Sequence, residues 1–346
     1  MDEVFPYLPA GPQPTVTVVI PVYRVAQYLA GTIRSVFAQT FSCYEVIVVN
    51  DGSLETDLIE NVLSPYQTRI TYIKQHNLGP GAARNTAIRA AKGTYLAFLD
   101  ADDCWYPDYL TEQLRAFDTS PGLSLVYCDA LCVGESGLSG LTMMQCSPPR
   151  GKVTFESILK FDTQVITSCT VVRKQLVTDA GMFDKKLKCC EDFDLWLRIA
   201  HLGASMTYQH EVLGLHRLHP ASITANKNLF FQSQVFVFEK LRDSVVLTAK
   251  QMDLVNSQIS RAQATRKLCE SKARLLAQEY DKAVAALSQA NAFFNSRRLG
   301  AVKVGLRVVP RLIRYVYRLR DRRLQRGASK RLSLVTSPPP NQRSAA

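Results

Sequence analysis

Three carboxylates, Asp100, Asp102 and Asp103, lie within four positions at the end of an apolar run in "FLDADDCW", residues 98–105. Like charges this close repel unless a cation joins them, and hard oxygen ligands of this kind suit Mg2+ or Mn2+. An ion with so few protein ligands completes its shell from a diphosphate and offsets the charge that builds as that diphosphate departs. The competing reading is a polar turn capping the helix expected over 108–118.

Two other stretches carry groups of matching chemistry. In "EDFDLWLR" (191–198), Glu191 and Asp192 open a helix whose spacing predicts a buried stripe of Phe193, Trp196, Leu197 and Ala200. Acids favour a helix N-terminus for electrostatic reasons alone. A carboxylate on a rigid element beside a like charge is also what a general base requires. In "NLGPGAARN" (77–85), Gly79 and Gly81 permit close backbone approach at a helix N-terminus, where anions are favoured, and Arg84 adds a cation that matches phosphate. The stretch departs from a dinucleotide fingerprint: Arg84 stands where the last glycine belongs, and the segment follows a third strand. A dehydrogenase is therefore disfavoured.

The elements that must position these groups read as an α/β pattern. "TVTVVI" (15–20), closed by Pro21, and "YEVIVVN" (44–50), closed by Asp51, are short, β-branched and continuous, as fully buried strands are. Further strands are expected at 69–75 and 94–100, with helices over 26–38 and 79–93 between them. Strand alternating with helix predicts a mostly parallel sheet whose ligands gather at the carboxyl ends of the strands, where Asp51 and Asp100 stand. After about residue 103 the alternation fades. Strands are expected at 123–133, 165–174 and 204–219, a polar loop at 134–151, and helices from about 228. The spacing in "YDKAVAALSQANAFF" suggests helical hairpins forming an appendage.

The formal charge of +12 is not spread evenly. Residues 297–346 hold 14 Lys/Arg and the single acid Asp321, while the first 296 carry 28 basic and 29 acidic side chains. The body is neutral and the tail basic. Within "GLRVVPRLIRYVYRLRDRRLQR" (305–326), Arg307, Arg311, Arg314, Arg318 and Arg322 share one side, and Val308, Leu312, Val316 and Leu319 the other, with Pro310 starting or kinking the helix. A basic amphipathic helix of this kind predicts contact with an anionic membrane surface; the bland alternative is a solvated helix packed on the protein. No RNA-binding motif accompanies it, so no nucleic acid is expected. Residues 327–346 read as disordered. The start "MDEVFPYLPA" lacks a basic stretch followed by an apolar run, no membrane span is evident, and nine scattered cysteines show no paired CxxC units. These features predict a reduced, cytoplasmic setting, peripheral on the inner face of the cytoplasmic membrane.

Taken in order, "VTVVIPVYR", "EVIVVNDGS", "NLGPGAARN", "FLDADDCWYPDYL" and "EDFDLWLR" resemble the family 2 inverting glycosyltransferases of the GT-A fold, of the bacterial cell-surface polysaccharide type. The resemblance covers about residues 14–225. It implies a catalytic domain over 1–227, a helical extension over 228–296, the basic helix over 297–326 and the tail beyond. It further implies a nucleotide-sugar donor, UDP-linked before guanosine or thymidine forms, a sugar or lipid-linked acceptor, and Mn2+ or Mg2+. By the same resemblance Pro21 and Asp51 line the base pocket, Arg84 approaches the diphosphate or shapes that pocket, and Asp102 is the metal ligand, with Asp100 and Asp103 supporting it or holding the ribose of the nucleotide sugar. Asp192 is the base that deprotonates the acceptor, and Glu191 beside it belongs to the nucleotide-sugar site. In "HRLHPAS" (216–222), His216, Arg217 or His219 meets the diphosphate. Trp105 is expected as packing under the metal loop and Trp196 as core. A nucleotidyltransferase would show a glycine-rich loop after the first strand, which "PVYRVAQYL" lacks. A non-catalytic scaffold would not need Asp51, Asp102 and Asp192 intact.

Overall fold

The computed structural model describes residues 3–5, 13–134 and 138–319. The chain divides into two compact units, one of residues 1–132 and 141–217, the other of 133–140 and 218–346. The expected disordered tail, and the part of the basic helix beyond residue 319, lie outside the described residues.

The described residues hold a nine-stranded sheet: β1 (Glu3–Phe5), β2 (Val16–Val22), β3 (Tyr44–Asp51), β4 (Thr71–Gln75), β5 (Tyr95–Phe98), β6 (Cys104–Trp105), β7 (Leu125–Gly134), β8 (Thr170–Arg173) and β9 (Met206–Leu218). They are ordered β1-β4-β3-β2-β5-β8-β7-β9-β6. β4-β3-β2-β5 pair in parallel, whereas β1 on β4, β8 on β5, β7 on β8 and β6 on β9 are antiparallel. The sheet is thus mixed, and its parallel part coincides with the stretch where strand and helix alternate in the sequence. β2 and β3 are buried almost throughout, as strands covered on both faces must be. β2 does not end at Pro21 but runs on to Val22, beside Asn50. At that height β5 has already ended, opposite Val19, so Pro21 lies on a one-sided stretch where a missing N–H is tolerated.

The helices of the first unit are α1 (Ala26–Phe37), α2 (Thr56–Leu63), α3 (Pro80–Ala90), α4 (Tyr109–Thr119), α5 (Met143–Cys146), α6 (Phe155–Leu159), α7 (Lys174–Asp179) and α8 (Glu191–His201). The expected strand at 165–174 is split: Thr167–Cys169 forms a 3-10 turn before β8. The expected stripe on α8 is also shifted. Leu195, Trp196, Leu197 and Ile199 are buried, whereas Phe193 and Ala200 are half-buried. The cause is the packing of α8 on β5, where Trp196, Phe98 and Phe183 meet edge to face with centroids 5.5–6.4 Å apart. Phe193 turns aside to stack on Phe161.

The second unit holds α9 (Lys227–Ser244), α10 (Ala249–Leu276), α11 (Tyr280–Phe294) and α12 (Arg297–Val308), followed by a helical stretch over 310–319. Its small core gathers Leu275, Ala283, Val284, Leu287 and Leu306, with Ile313 and Tyr317 packed against it. Among the described residues no helix is long and apolar enough to cross a membrane.

Candidate active site

The carboxyl ends of β3 and β5, the start of α3 and the start of α8 converge in the first unit. Asp51, the last residue of β3, is buried and accepts three hydrogen bonds: Gln75 Nε2 (2.6 Å) and Leu78 N (2.9 Å) to Oδ1, and Gly79 N (2.9 Å) to Oδ2. The anion at the α3 N-terminus is therefore this carboxylate, and it fixes the 77–79 loop. Gly79 has φ +94, which only glycine adopts cheaply. Gly81 is needed for a different reason: a Cβ there would lie 3.2 Å from Phe183 Cβ and 3.4 Å from Glu191 Cγ. The close approach it permits is to α8 and the loop before it.

That approach lets Arg84 reach two chain segments at once. Its Nη2 donates to Asp100 Oδ1 and its Nη1 to Glu191 Oε1, each at 2.6 Å, and the residue is 5% exposed. The guanidinium also lies over the Phe183 ring, 5.3 Å from its centroid. Charge-assisted forks of this kind are the strong hydrogen bonds of a protein interior. Burial pushes the Glu191 carboxyl up, Arg84 opposes this, Asp192 adds to it, and the group settles at about 7. The shift that the paired acids invite thus falls on Glu191.

Asp103 is 2% exposed and anchors β9 rather than facing outward. Its Oδ1 accepts Arg217 N (2.7 Å), and its Oδ2 lies 3.1 Å from His216 Nδ1. Arg217 donates through Nε to the Asp102 carbonyl (2.9 Å) and covers the Tyr28 ring at 4.7 Å. Burial works against a charged His216, but the facing Asp103 carboxylate outweighs it, helped by Asp100 and Asp102, and lifts the imidazole to about 9. A raised cationic pKa adds stability that is whole below the unfolded value of about 6.5 and is lost as pH climbs through 9. With His216 30% exposed over a buried Asp103, solvent screening leaves this at about 1 kcal/mol. The thermal midpoint should therefore fall by about 2–4 °C between pH 7 and pH 10. In His216→Gln this part of the fall should be missing; an unchanged pH profile in that variant refutes the pairing.

Asp192 is half-buried. Thr167 Oγ1 donates to its Oδ2 (2.8 Å), and Trp196 Nε1 in turn donates to Thr167 Oγ1 (3.4 Å). The next residue, Ser168, serves the other loop: its Oγ accepts Asp100 N (3.2 Å) and its carbonyl accepts Trp105 Nε1 (2.6 Å). Trp105 itself is buried, stacked on Tyr109 at 4.0 Å, and so packs under the 100–103 turn. Thr167 and Ser168 escaped sequence reasoning because they sit inside an apolar, strand-like run. The available signal was two adjacent hydroxyls interrupting it.

The structure thus brings Asp100, Asp102, Asp103, Arg84, Glu191, Asp192, His216 and Arg217 to one end of the sheet, while His219 belongs to the second unit. Asp103 and Glu191 are the acids most fully taken up by charged or backbone partners, and Asp192 accepts from Thr167. Asp102 is half-buried, and Asp100 is tied to Arg84 through one oxygen. Among the described residues no group of three His, Cys, Asp or Glu side chains could cage a metal ion. Such a donor set fits Mg2+ or Mn2+ held by one or two carboxylates together with phosphate oxygens and water, the mode these hard cations use at phosphate sites.

Residues 17–169 match the sequence model of Glycosyl transferase family 2. An uncharacterized glycosyltransferase of Rickettsia prowazekii is 33% identical over 217 residues, covering 61% of this chain and 66% of that relative. The chain therefore spans just under two thirds of the length of that relative. WfaP of Escherichia coli, a UDP-Glc:alpha-D-GlcNAc-diphosphoundecaprenol beta-1,3-glucosyltransferase, is 28% identical over 227 residues, covering 64% of this chain and 84% of its own. Among solved structures, the mannosyltransferase PcManGT of Pyrobaculum calidifontis in complex with GDP-Man and Mn2+ superposes with a TM-score of 0.58 at 18% identity, covering 94% of this chain and 88% of its own.

Proposed function

We propose, from the match of residues 17–169 to the Glycosyl transferase family 2 model and the likeness of the fold to that mannosyltransferase, that the chain is an inverting, metal-dependent transferase that moves a sugar from a nucleoside-diphosphate sugar to an acceptor hydroxyl. The observation that carries this reading is the Arg84 fork. It locks the 100–103 turn to the first turn of α8 and so fixes Asp102 and Asp192 relative to one another. Asp192 takes the acceptor proton as the acceptor oxygen bonds to the anomeric carbon. The bond to the diphosphate breaks, its electron pair leaves with the diphosphate, and the configuration inverts. A bound Mg2+ or Mn2+ supplies positive charge for the leaving diphosphate, with Asp102 as its protein ligand and Asp100 in support. Pro21 and Asp51 flank the base, and Arg217 and His216 keep β9 close to the turn.

The donor nucleotide in this reading is uridine diphosphate, as named for the WfaP relative, with guanosine diphosphate as the second choice. The acceptor is a lipid-linked sugar in cell-surface polysaccharide synthesis, met at the inner face of the cytoplasmic membrane. A panel of uridine, guanosine and thymidine diphosphosugars, each with Mn2+, Mg2+ or chelator, tests this by thermal shift and by slow release of nucleoside diphosphate. One nucleotide at a hundredfold excess over its dissociation constant should stabilise the protein by about 2.7 kcal/mol. Chelator and Asp102→Ala should each abolish that gain. If no diphosphosugar stabilises the chain under any condition, the transferase reading fails.

A further inference from the structure

The α12 helix and the 310–319 stretch have three faces, not the two expected from their spacing. One face is internal: Leu306, Ile313 and Tyr317 pack on the core formed by α10 and α11. At about 100° per residue, a second face of 310–319 carries Leu312, Tyr315, Val316 and Leu319, exposed by 56%, 61%, 53% and 38%. In α12, Val304 and Val308, exposed by 59% and 72%, lie on the side away from Leu306. The third face is basic, with Arg311 and Arg318 exposed on one flank of that apolar stripe, half-buried Arg314 between them and exposed Arg307 preceding them. A helix bound only to its own protein gains nothing from a second apolar stripe open to water, and contiguous patches of this kind mark interaction sites.

We propose that this stripe is the docking surface by which the chain lies on an anionic lipid bilayer, its apolar side chains entering the acyl boundary and its arginines meeting the headgroups. The charge selects the occupant. Residues 297–346 hold 14 Lys/Arg against one acid, so a second copy seated on the same face would bring like charges together. An anionic leaflet instead attracts such a segment, and the combination of apolar burial and basic charge is what in-plane helices use. The proposal deepens the reading above by naming the surface that meets the lipid. It rests on that reading only for the identity of the acceptor, because lipid binding is measured without any sugar nucleotide.

The test is flotation of the full chain with vesicles of phosphatidylcholine alone, or with about one third phosphatidylglycerol, at low and high salt. Binding is expected to anionic vesicles only and to weaken with salt. Val308→Asn, Leu312→Asn and Val316→Asn together should lower it at least tenfold with helicity unchanged. A second variant, with the exposed Arg307, Arg311 and Arg318 changed to Gln, should lower it and remove most of its salt dependence. No flotation with anionic vesicles overturns the proposal. So does flotation that survives the apolar variant and disappears on removing residues 320–346, since the charge of the tail then suffices. Self-association lost in the apolar variant, with no flotation in the parent, assigns the face to a second copy instead.

Discussion

Replacing Asp192 by Asn is expected to slow sugar transfer by about 10²–10⁴, the usual contribution of a general base, while metal-dependent binding of the donor nucleotide is kept. The change is close to isosteric, and the Thr167 hydroxyl can rotate to accept from an amide as readily as it donates to a carboxylate. Folding should therefore be undisturbed and the loss should sit in kcat. Thr167→Val makes the complementary test. It removes the donor to Asp192 Oδ2 and leaves Trp196 Nε1 without its acceptor, so the carboxylate keeps its identity but is held by the Phe193 N–H at Oδ1 and no longer by Thr167. A fall in kcat of about tenfold is expected for a misdirected base, with the KM for donor unchanged, and Thr167→Ser should restore most of it. If Asp192→Asn transfers sugar at the parental rate, the base is another group. If Thr167→Ser is as slow as Thr167→Val, the threonine matters for packing and not for direction.

The legible part of this site was the part written in short, continuous stretches. Strand-end positions made Asp51 and Asp100 stand out, and the α/β alternation supplied the reason to look there. What could not be read is what each acid faces. Asp100, Asp102 and Asp103 look equivalent in the sequence, yet Asp103 turns inward to His216 and the Arg217 amide, 113 and 114 residues away, and Asp100 turns to Arg84. The link between Arg84 and Glu191 spans 107 residues and depends on Gly81 letting two backbones approach. No local pattern encodes it. The strands at 125–134 and 206–218 were legible, but the 3-10 turn at Thr167 inside the expected 165–174 strand was obscured for a related reason. A fully buried segment is apolar whatever its geometry, so periodicity does not separate strand from turn. On the C-terminal helices the missed feature was an inner face. A two-sided pattern of Arg and Val/Leu does not reveal that Leu306, Ile313 and Tyr317 already have a core to join.

Arg84→Met is expected to be the most destabilising single change in the site. Removing one partner of a buried ion pair costs about 3–5 kcal/mol, because the charge left behind keeps its desolvation penalty and loses its compensation. Here the one guanidinium serves two carboxylates, and methionine fills much of the volume over Phe183, so the loss is electrostatic rather than a cavity effect. The sign of the pH dependence follows from Glu191. Its carboxyl already sits at about 7, above its unfolded value, so the native state holds more protons than the unfolded one from about pH 4.5 to 7, and stability falls as pH rises through that window. Arg84 is what holds it down; without it the carboxyl climbs further and the window extends upward. The gap between Arg84→Met and the parent should therefore be smaller near pH 5, where Glu191 is neutral in both, and wider near pH 8. Adding Glu191→Gln to Arg84→Met should recover more than about 1 kcal/mol near pH 8, the scale of coupling between directly paired residues, and little near pH 5. Denaturant unfolding at the two pH values decides it. A gap that is the same at both would mean that Glu191 is not the charge Arg84 compensates, and that the fork fastens α3 to α8 by geometry alone.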